Sequence, residues 1–288
     1  MPYATTTDKV RLYYEEAGSG TPILFSHEFA GDYRNWEPQM RFFARRHRCI
    51  TYSCRGYKPS DIPSDAVAYS YKHWVSDAVA ILDHLKIEKA HFVGLSQGGY
   101  TALMMALHHP ARCLSIVAAG AGSGSEHGRL DEFRSTFNRT ADEFEKHGSE
   151  HVVRKTYGLS PARIPFLVKD PRGFEEFNQM FASHDPKGAA MVLRGFQAGR
   201  PSLYDFEQQI KSIAVPTLIV VGDEDDPCLE PSFYFKKWIP TSGLVVVPKT
   251  GHVVNQEEPA LFNDAVADFI ARVEACRWPA RDPRSIRA

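Results

Sequence analysis

Short β-rich apolar runs alternate along the chain with longer stretches whose apolar positions recur at helical spacing. That is the pattern of a largely parallel sheet flanked by helices, the α/β class. The runs predict strands over Lys9–Glu15, Pro22–His27, Cys49–Ser53, His91–Gly94, Cys113–Ala118, Thr217–Gly222 and Leu244–Pro248. Helices are predicted over Arg34–Arg46, Tyr71–Leu85, Gly98–His108, Pro231–Ile239 and Pro259–Val273. In the second of these, Trp74, Ala78, Ile81, Leu82 and Leu85 share one face, which marks the side that covers a sheet.

One region breaks the alternation. Between Ala119 and Thr217 lie roughly ninety residues without a clear strand, too long for a structureless loop in a compact domain. Their pattern is helical, cut by Gly and Pro, and rich in aromatics: Phe133, Phe137, Phe144, Tyr157, Phe166, Phe174, Phe177, Phe181, Phe196 and Tyr204. The expected organisation is a core formed by residues 1–120 and 212–288, with a helical subdomain inserted at 121–211. Most of those aromatics are expected to pack the insertion's own small core.

Composition narrows the class. A chain of 288 residues with 43% hydrophobic residues buries roughly three quarters of its unfolded surface, which is ample for a real core. Thirty-four Lys and Arg against 35 Asp and Glu leave a net charge of −1, so there is no electrostatic footprint for nucleic acid. The five cysteines (Cys49, Cys54, Cys113, Cys228, Cys276) are odd in number and widely spaced, unlike a disulfide framework. The opening MPYATTTDKV lacks the charged and apolar regions of a signal peptide, and no apolar run approaches ~18 residues. A cytoplasmic protein without membrane or nucleic-acid partners is expected.

The chemistry is concentrated in HFVGLSQGGYTALMMALHHP. A β-like run meets Gly94-Leu95-Ser96-Gln97-Gly98, and an apolar helical pattern follows at once, the strand–turn–helix context that G-x-S-x-G requires. By composition alone the bare pattern turns up in about one chain in ten of this length, so the context and the partners carry the argument. A serine on a tight strand-to-helix turn projects its hydroxyl from the sheet edge, and flanking glycines avoid the crowding that a Cβ brings. The helix start adds unpaired N–H groups and a positive dipole end. The competing reading is a serine that merely caps a helix.

Serine is a poor nucleophile without a base and a group that orients the base. Thr217–Val221 ends in Gly222-Asp223-Glu224-Asp225-Asp226-Pro227, which places carboxylates at the C-terminal end of a strand. Leu244–Val247 leads into Pro248-Lys249-Thr250-Gly251-His252, a histidine on the next strand's exit loop. Functional groups of open α/β sheets collect at that edge, and the chain order is Ser, acid, His.

In these motifs the chain resembles the α/β-hydrolase superfamily over roughly residues 10 to 273. The resemblance implies Ser96 as nucleophile, His252 as general base and Asp225 as orienting acid, with Asp223 as the alternative and Glu224 and Asp226 as solvated charges. It implies an oxyanion hole of two backbone N–H groups, those of Gln97 and Phe29, and a cap inserted after the sixth strand. Two departures stand out. Glu28 takes the place of a glycine in the loop Ser26-His27-Glu28-Phe29-Ala30-Gly31, so a different loop path is expected, with Glu28 facing solvent or pairing with Arg34 or Arg55. The segment Ser53-Cys54-Arg55-Gly56-Tyr57-Lys58-Pro59-Ser60 lacks the first acid and second glycine of the family's D-x-R-G-x-G-x-S loop, which leaves Arg55 as a structural charge.

Other signals carry less. His147 and His151 are spaced i, i+4, but they lack the companions of a metal motif, so no metal is expected. The run Gly120-Ala121-Gly122-Ser123-Gly124-Ser125 lacks the Lys-Ser/Thr ending of a phosphate loop and reads as a hinge. The reading that follows is a cofactor-free serine hydrolase of a small to medium carboxylic ester or lactone. The GLSQGG turn is similar to those of enol-lactonases and non-haem perhydrolases. The alternatives are a carbon–carbon bond hydrolase of a vinylogous diketone, with Arg163, Arg172, Arg194 or Arg200 holding an anionic substrate, and a non-enzymatic ligand receptor.

Overall fold

The computed structural model describes residues 2–285. Eight strands form one sheet in the order β1-β2-β4-β3-β5-β6-β7-β8. They are β1 (Tyr3–Thr5), β2 (Arg11–Ala17), β3 (Pro22–Ser26), β4 (Arg48–Tyr52), β5 (Ala90–Leu95), β6 (Cys113–Ala119), β7 (Thr217–Gly222) and β8 (Ser242–Val247). The pairs β1–β2 and β2–β4 are antiparallel and all others parallel. Every residue of β5 and β7 is buried, as strands covered on both faces should be. The short edge strand β1 has no counterpart in the sequence reading, because three residues are too few to show an alternation.

The helices are α1 (Glu37–Phe43), α2 (Tyr71–His84), α3 (Gln97–His108), α4 (Leu130–Lys155), α5 (Ile164–Lys169), α6 (Pro171–Ala182), α7 (Pro186–Val192), α8 (Glu207–Lys211), α9 (Asp226–Trp238), α10 (Val254–Glu257) and α11 (Pro259–Glu274). Two helix starts differ from expectation by three residues or more, both at prolines. Pro38 opens α1, and the predicted start at Arg34 is a separate 3₁₀ turn over Tyr33–Trp36. Helix α9 begins at Asp226, with Pro227 in its first turn and Pro231 tolerated inside it. Proline suits the first helical turn, where no intrahelical partner is lost, and the two prolines compete for that place. No helix of the described residues is long and apolar enough to cross a membrane.

Helices α4–α8 lie between β6 and β7 and pack across the carboxyl edge of the sheet. Contacts from several segments fix them there. The His252 N–H donates to the Ala162 carbonyl at 2.8 Å, Lys169 Nζ reaches Glu258 at 2.6 Å, and Trp74 meets Phe196 with ring centroids 4.9 Å apart. Strand order reverses direction at β3, with β4 on one side and β5 on the other. Crevices for ligands open at the carboxyl ends of strands at such a switch point.

Candidate active site

Ser96 stands at that point, between the last residue of β5 and the first of α3, with φ +56° and ψ −111°. A non-glycine residue in such a region costs roughly 1–3 kcal/mol and persists only where its surroundings fix it. They do so here: the Ser96 N–H donates to the Ala119 carbonyl at 2.8 Å, and the Ser96 carbonyl accepts from the Tyr100 N–H at 2.8 Å. The turn is too tight for side chains. A Cβ on Gly98 would lie 2.0 Å from the Ser26 carbonyl oxygen, and one on Gly94 would lie 2.0 Å from the Gly98 carbonyl oxygen. Gly98→Ala is therefore expected to lower stability by about 2 kcal/mol or more, the upper range of overpacking. Thermal denaturation reads this directly, and an unchanged midpoint would contradict it.

Asp225 and His252 come together from the ends of β7 and β8. His252 Nδ1 and Asp225 Oδ2 are 2.8 Å apart, with Asp225 buried and His252 half-buried. Asp223, Glu224 and Asp226 are exposed; of these four acids Asp225 alone is buried, and it is the one bonded to His252. Burial works against charge on His252, but attraction and the hydrogen bond from Asp225 outweigh it and hold the imidazole pKa above its ordinary value. A Cβ on Gly120 would lie 3.4 Å from Asp225 Oδ2, His252 Cε1 and His252 Nδ1 alike. Gly120 adjoins Ala119, which holds Ser96. The serine turn and the His–Asp pair thus flank one dipeptide. The Ser96 hydroxyl has no hydrogen-bond partner among the described residues, so the link from His252 to Ser96 is not closed in this structure. Such links are often long in ligand-free enzymes and tighten with substrate. Cys228 completes the cluster; its thiol donates to the Gly120 carbonyl at 3.2 Å.

The segments that carry the two expected backbone donors adjoin, since a Cβ on Gly98 would lie 3.0 Å from the His27 carbonyl oxygen. Gln97 opens α3, and its side-chain Nε2 donates to Tyr57 Oη at 3.2 Å, a tether the sequence reading did not foresee. Phe29 lies in a turn closed by the Gly31 N–H on the Glu28 carbonyl at 3.2 Å. Neither the Phe29 nor the Gln97 N–H is taken by a backbone acceptor among the described residues. The Phe29 ring meets Phe144, Tyr157 and Phe181 of the insertion edge-on at 5.5–5.9 Å. Some insertion aromatics therefore face the core rather than packing only against each other. Below this turn His27 is neutral: the Cys54 N–H donates to Nε2 at 3.0 Å, leaving Nδ1 to donate to the Glu28 carbonyl at 2.7 Å. Burial holds its pKa down.

Glu28 departs from both expectations made for it. It does not face solvent and pairs with neither Arg34 nor Arg55. It is fully buried and makes a two-pronged ion pair with Arg163, at 2.6 Å and 3.2 Å. The glutamate fits in place of glycine because its backbone avoids positive φ. Burial opposes its ionisation, but Arg163 more than compensates, and the carboxyl stays below its ordinary pKa. Arg34 pairs instead with Asp32 at 2.6 Å. Arg55 is buried against Asp77 and Asp8, a structural charge as read. His147 and His151 sit on α4 with rings 4.6 Å apart, on either side of a kink at Gly148.

With this geometry in place, the comparisons bear on ancestry. The family model of the alpha/beta hydrolase fold matches residues 21–259. The chain belongs to the α/β-hydrolase family. It is 27% identical to 3-oxoadipate enol-lactonase 1 of Acinetobacter baylyi, over 88% of this chain and 89% of the relative. It is 28% identical to the 2-hydroxymuconate semialdehyde hydrolase of Pseudomonas sp., over 92% of each chain. Among solved structures, the thermophilic esterase of Thermogutta terrifontis superposes with a TM-score of 0.82 at 25% identity, over 94% of this chain and 98% of that one. As a member of this family, the chain is a hydrolase.

Proposed function

We propose that this hydrolase cleaves a small to medium carboxylic ester or lactone through an acyl-serine. The observation that carries the reading is the 2.8 Å Asp225–His252 pair, set beside the dipeptide that holds Ser96 in its strained turn. Ser96 Oγ attacks the substrate carbonyl carbon while His252 Nε2 takes the hydroxyl proton, and Asp225 fixes the ring and stabilises its charge. The N–H groups of Phe29 and Gln97 receive the oxyanion, each donor being worth about 3 kcal/mol of transition-state stabilisation. Collapse expels the alcohol, which takes its proton from His252. A water molecule, deprotonated by His252, then releases the acid and restores Ser96. The insertion acts as a cap, with Phe144, Tyr157 and Phe181 excluding bulk water above Phe29.

The test is a panel of aryl esters, lactones and a ring-fission vinylogous diketone, run with the parent protein. Turnover of an ester or lactone, with a burst of alcohol equal to the enzyme concentration when deacylation is slow, is the expected result. Turnover of the diketone alone would move the function to carbon–carbon cleavage. That second reading is favoured by the relative named as a 2-hydroxymuconate semialdehyde hydrolase.

The raised His252 pKa gives the pH dependence its sign. The base must be neutral, so kcat/KM is low in acid and climbs through an apparent pKa above about 6.5, the unperturbed imidazole value. Asp225→Asn removes the attraction and moves this limb to lower pH while reducing kcat. A pH–rate profile that is level between pH 5.5 and 8 would contradict the assignment.

A further inference from the structure

Among the described residues three arginines are buried: Arg55, Arg163 and Arg200. Arg55 has Asp77 and Asp8, and Arg163 has Glu28. Arg200, in the insertion just before Pro201, has no carboxylate within ion-pair distance among the described residues. Its one hydrogen bond there is to the Ser123 carbonyl, at 2.9 Å. Otherwise its guanidinium faces the rings of Tyr100, Phe133 and Phe196, at 4.7, 5.0 and 6.0 Å from their centroids. A guanidinium carries five N–H donors, and a charge removed from water is costly unless it is paired. Burial disfavours the charge at Arg200 and no acid offsets it.

Its surroundings belong to the serine site. Tyr100 is one helical turn beyond Ser96, bonded to the Ser96 carbonyl, and its hydroxyl donates to the Pro201 carbonyl at 3.2 Å. Ser123 follows Gly120, the residue against which Asp225 and His252 pack. Arg200 therefore lies on the β6 flank of the site, whereas the Glu28–Arg163 pair lies on the β3 flank. The other two arginines that the sequence offered for an anionic substrate are accounted for: Arg172 is exposed beside Glu176, and Arg194 is held by Asp142 and Glu145.

We propose that Arg200 receives a carboxylate of the substrate, so that the compound hydrolysed is an ester or lactone that carries a free acid group. The proposal rests on the serine-hydrolase reading and names the substrate class for the same site. A single cation walled by aromatic rings suits a planar, singly charged anion. The carboxylate takes two parallel N–H bonds from the fork while the rings exclude water and strengthen the attraction. A phosphate ester would bring nearly two charges to one guanidinium. Binding energy gained at this distance from the carbonyl serves to orient the acyl group at Ser96.

The experiment compares the monomethyl esters of succinic, glutaric and adipic acids with the matching dimethyl esters at neutral pH. The two series have nearly the same shape and differ by one charge. The parent should prefer at least one monoester over its diester by tenfold or more in kcat/KM. Arg200→Met should lose at least fiftyfold on that monoester and less than fivefold on the diester, with Arg200→Lys in between. A parent that cleaves every diester as well as its monoester, or an Arg200→Met protein that loses both alike, would overturn the proposal. Calorimetric titration of the monoesters into Ser96→Ala protein separates this from the hydrolysis reading. Saturable binding that Arg200→Met weakens at least twentyfold upholds the anion site even if neither series is turned over, and absence of binding overturns it.

Discussion

Ser96→Ala should reduce turnover of any ester or lactone accepted by the parent by about three to six orders of magnitude, since members of such a relay act as a unit. The fold should survive, because alanine keeps the Cβ and the φ of +56°, and the bonds that hold the turn run through the backbone of residue 96. Substrate affinity should survive as well. The hydroxyl contributes a bond that forms in the reaction rather than a contact to the bound substrate. A loss of less than a hundredfold in kcat would show that the chemistry does not pass through Ser96. Equal losses in Asp225→Asn and Ser96→Ala are not expected: the asparagine keeps part of the geometry, and in such relays the acid is the member whose loss costs least.

The second large effect is on stability. Arg163→Met leaves the Glu28 carboxylate buried without its partner, and breaking a buried pair from one side costs about 3–5 kcal/mol. For a chain of this size that lowers the melting midpoint by on the order of 10 °C. Glu28→Gln should cost a similar amount by stranding the guanidinium. The double variant Glu28→Gln/Arg163→Met should recover much of the loss, because both charges leave together and the methionine still fills the space between Tyr157 and Phe177. Additive single losses in that cycle would contradict the pairing. Since Glu28 begins the turn that carries the Phe29 N–H, the single variants should also lower kcat beyond what their reduced folded fraction explains. The pair ties the insertion to that turn, and Ala162, the residue before Arg163, holds the His252 backbone.

The strands were legible because buried parallel strands read as unbroken apolar runs bounded by glycine and aspartate, as Thr217–Gly222 does. The serine turn was legible for a local reason: its glycines are demanded by backbone oxygens that an added Cβ would meet at 2.0 Å, and a local demand leaves a local pattern. Asp225 could be preferred over Asp223 only by resemblance, since four carboxylates stand side by side in sequence and only the fold buries one of them. Glu28 was misread for the opposite reason. Its partner is 135 residues away in the insertion, and nothing near Glu28 in sequence distinguishes Arg163 from Arg34 or Arg55. The same holds for Arg200. The arginines of the insertion look alike as letters, and burial without a carboxylate partner, a tertiary property, sets Arg200 apart.

The most direct measurement is active-site labelling. Native protein is treated with a fluorophosphonate, weighed intact by mass spectrometry and digested to locate the adduct. The account predicts one phosphonyl group per chain, on the peptide that contains Ser96, formed rapidly in the parent and only slowly in His252→Ala. Folded protein that remains unmodified, or that carries the label on another residue, would contradict it.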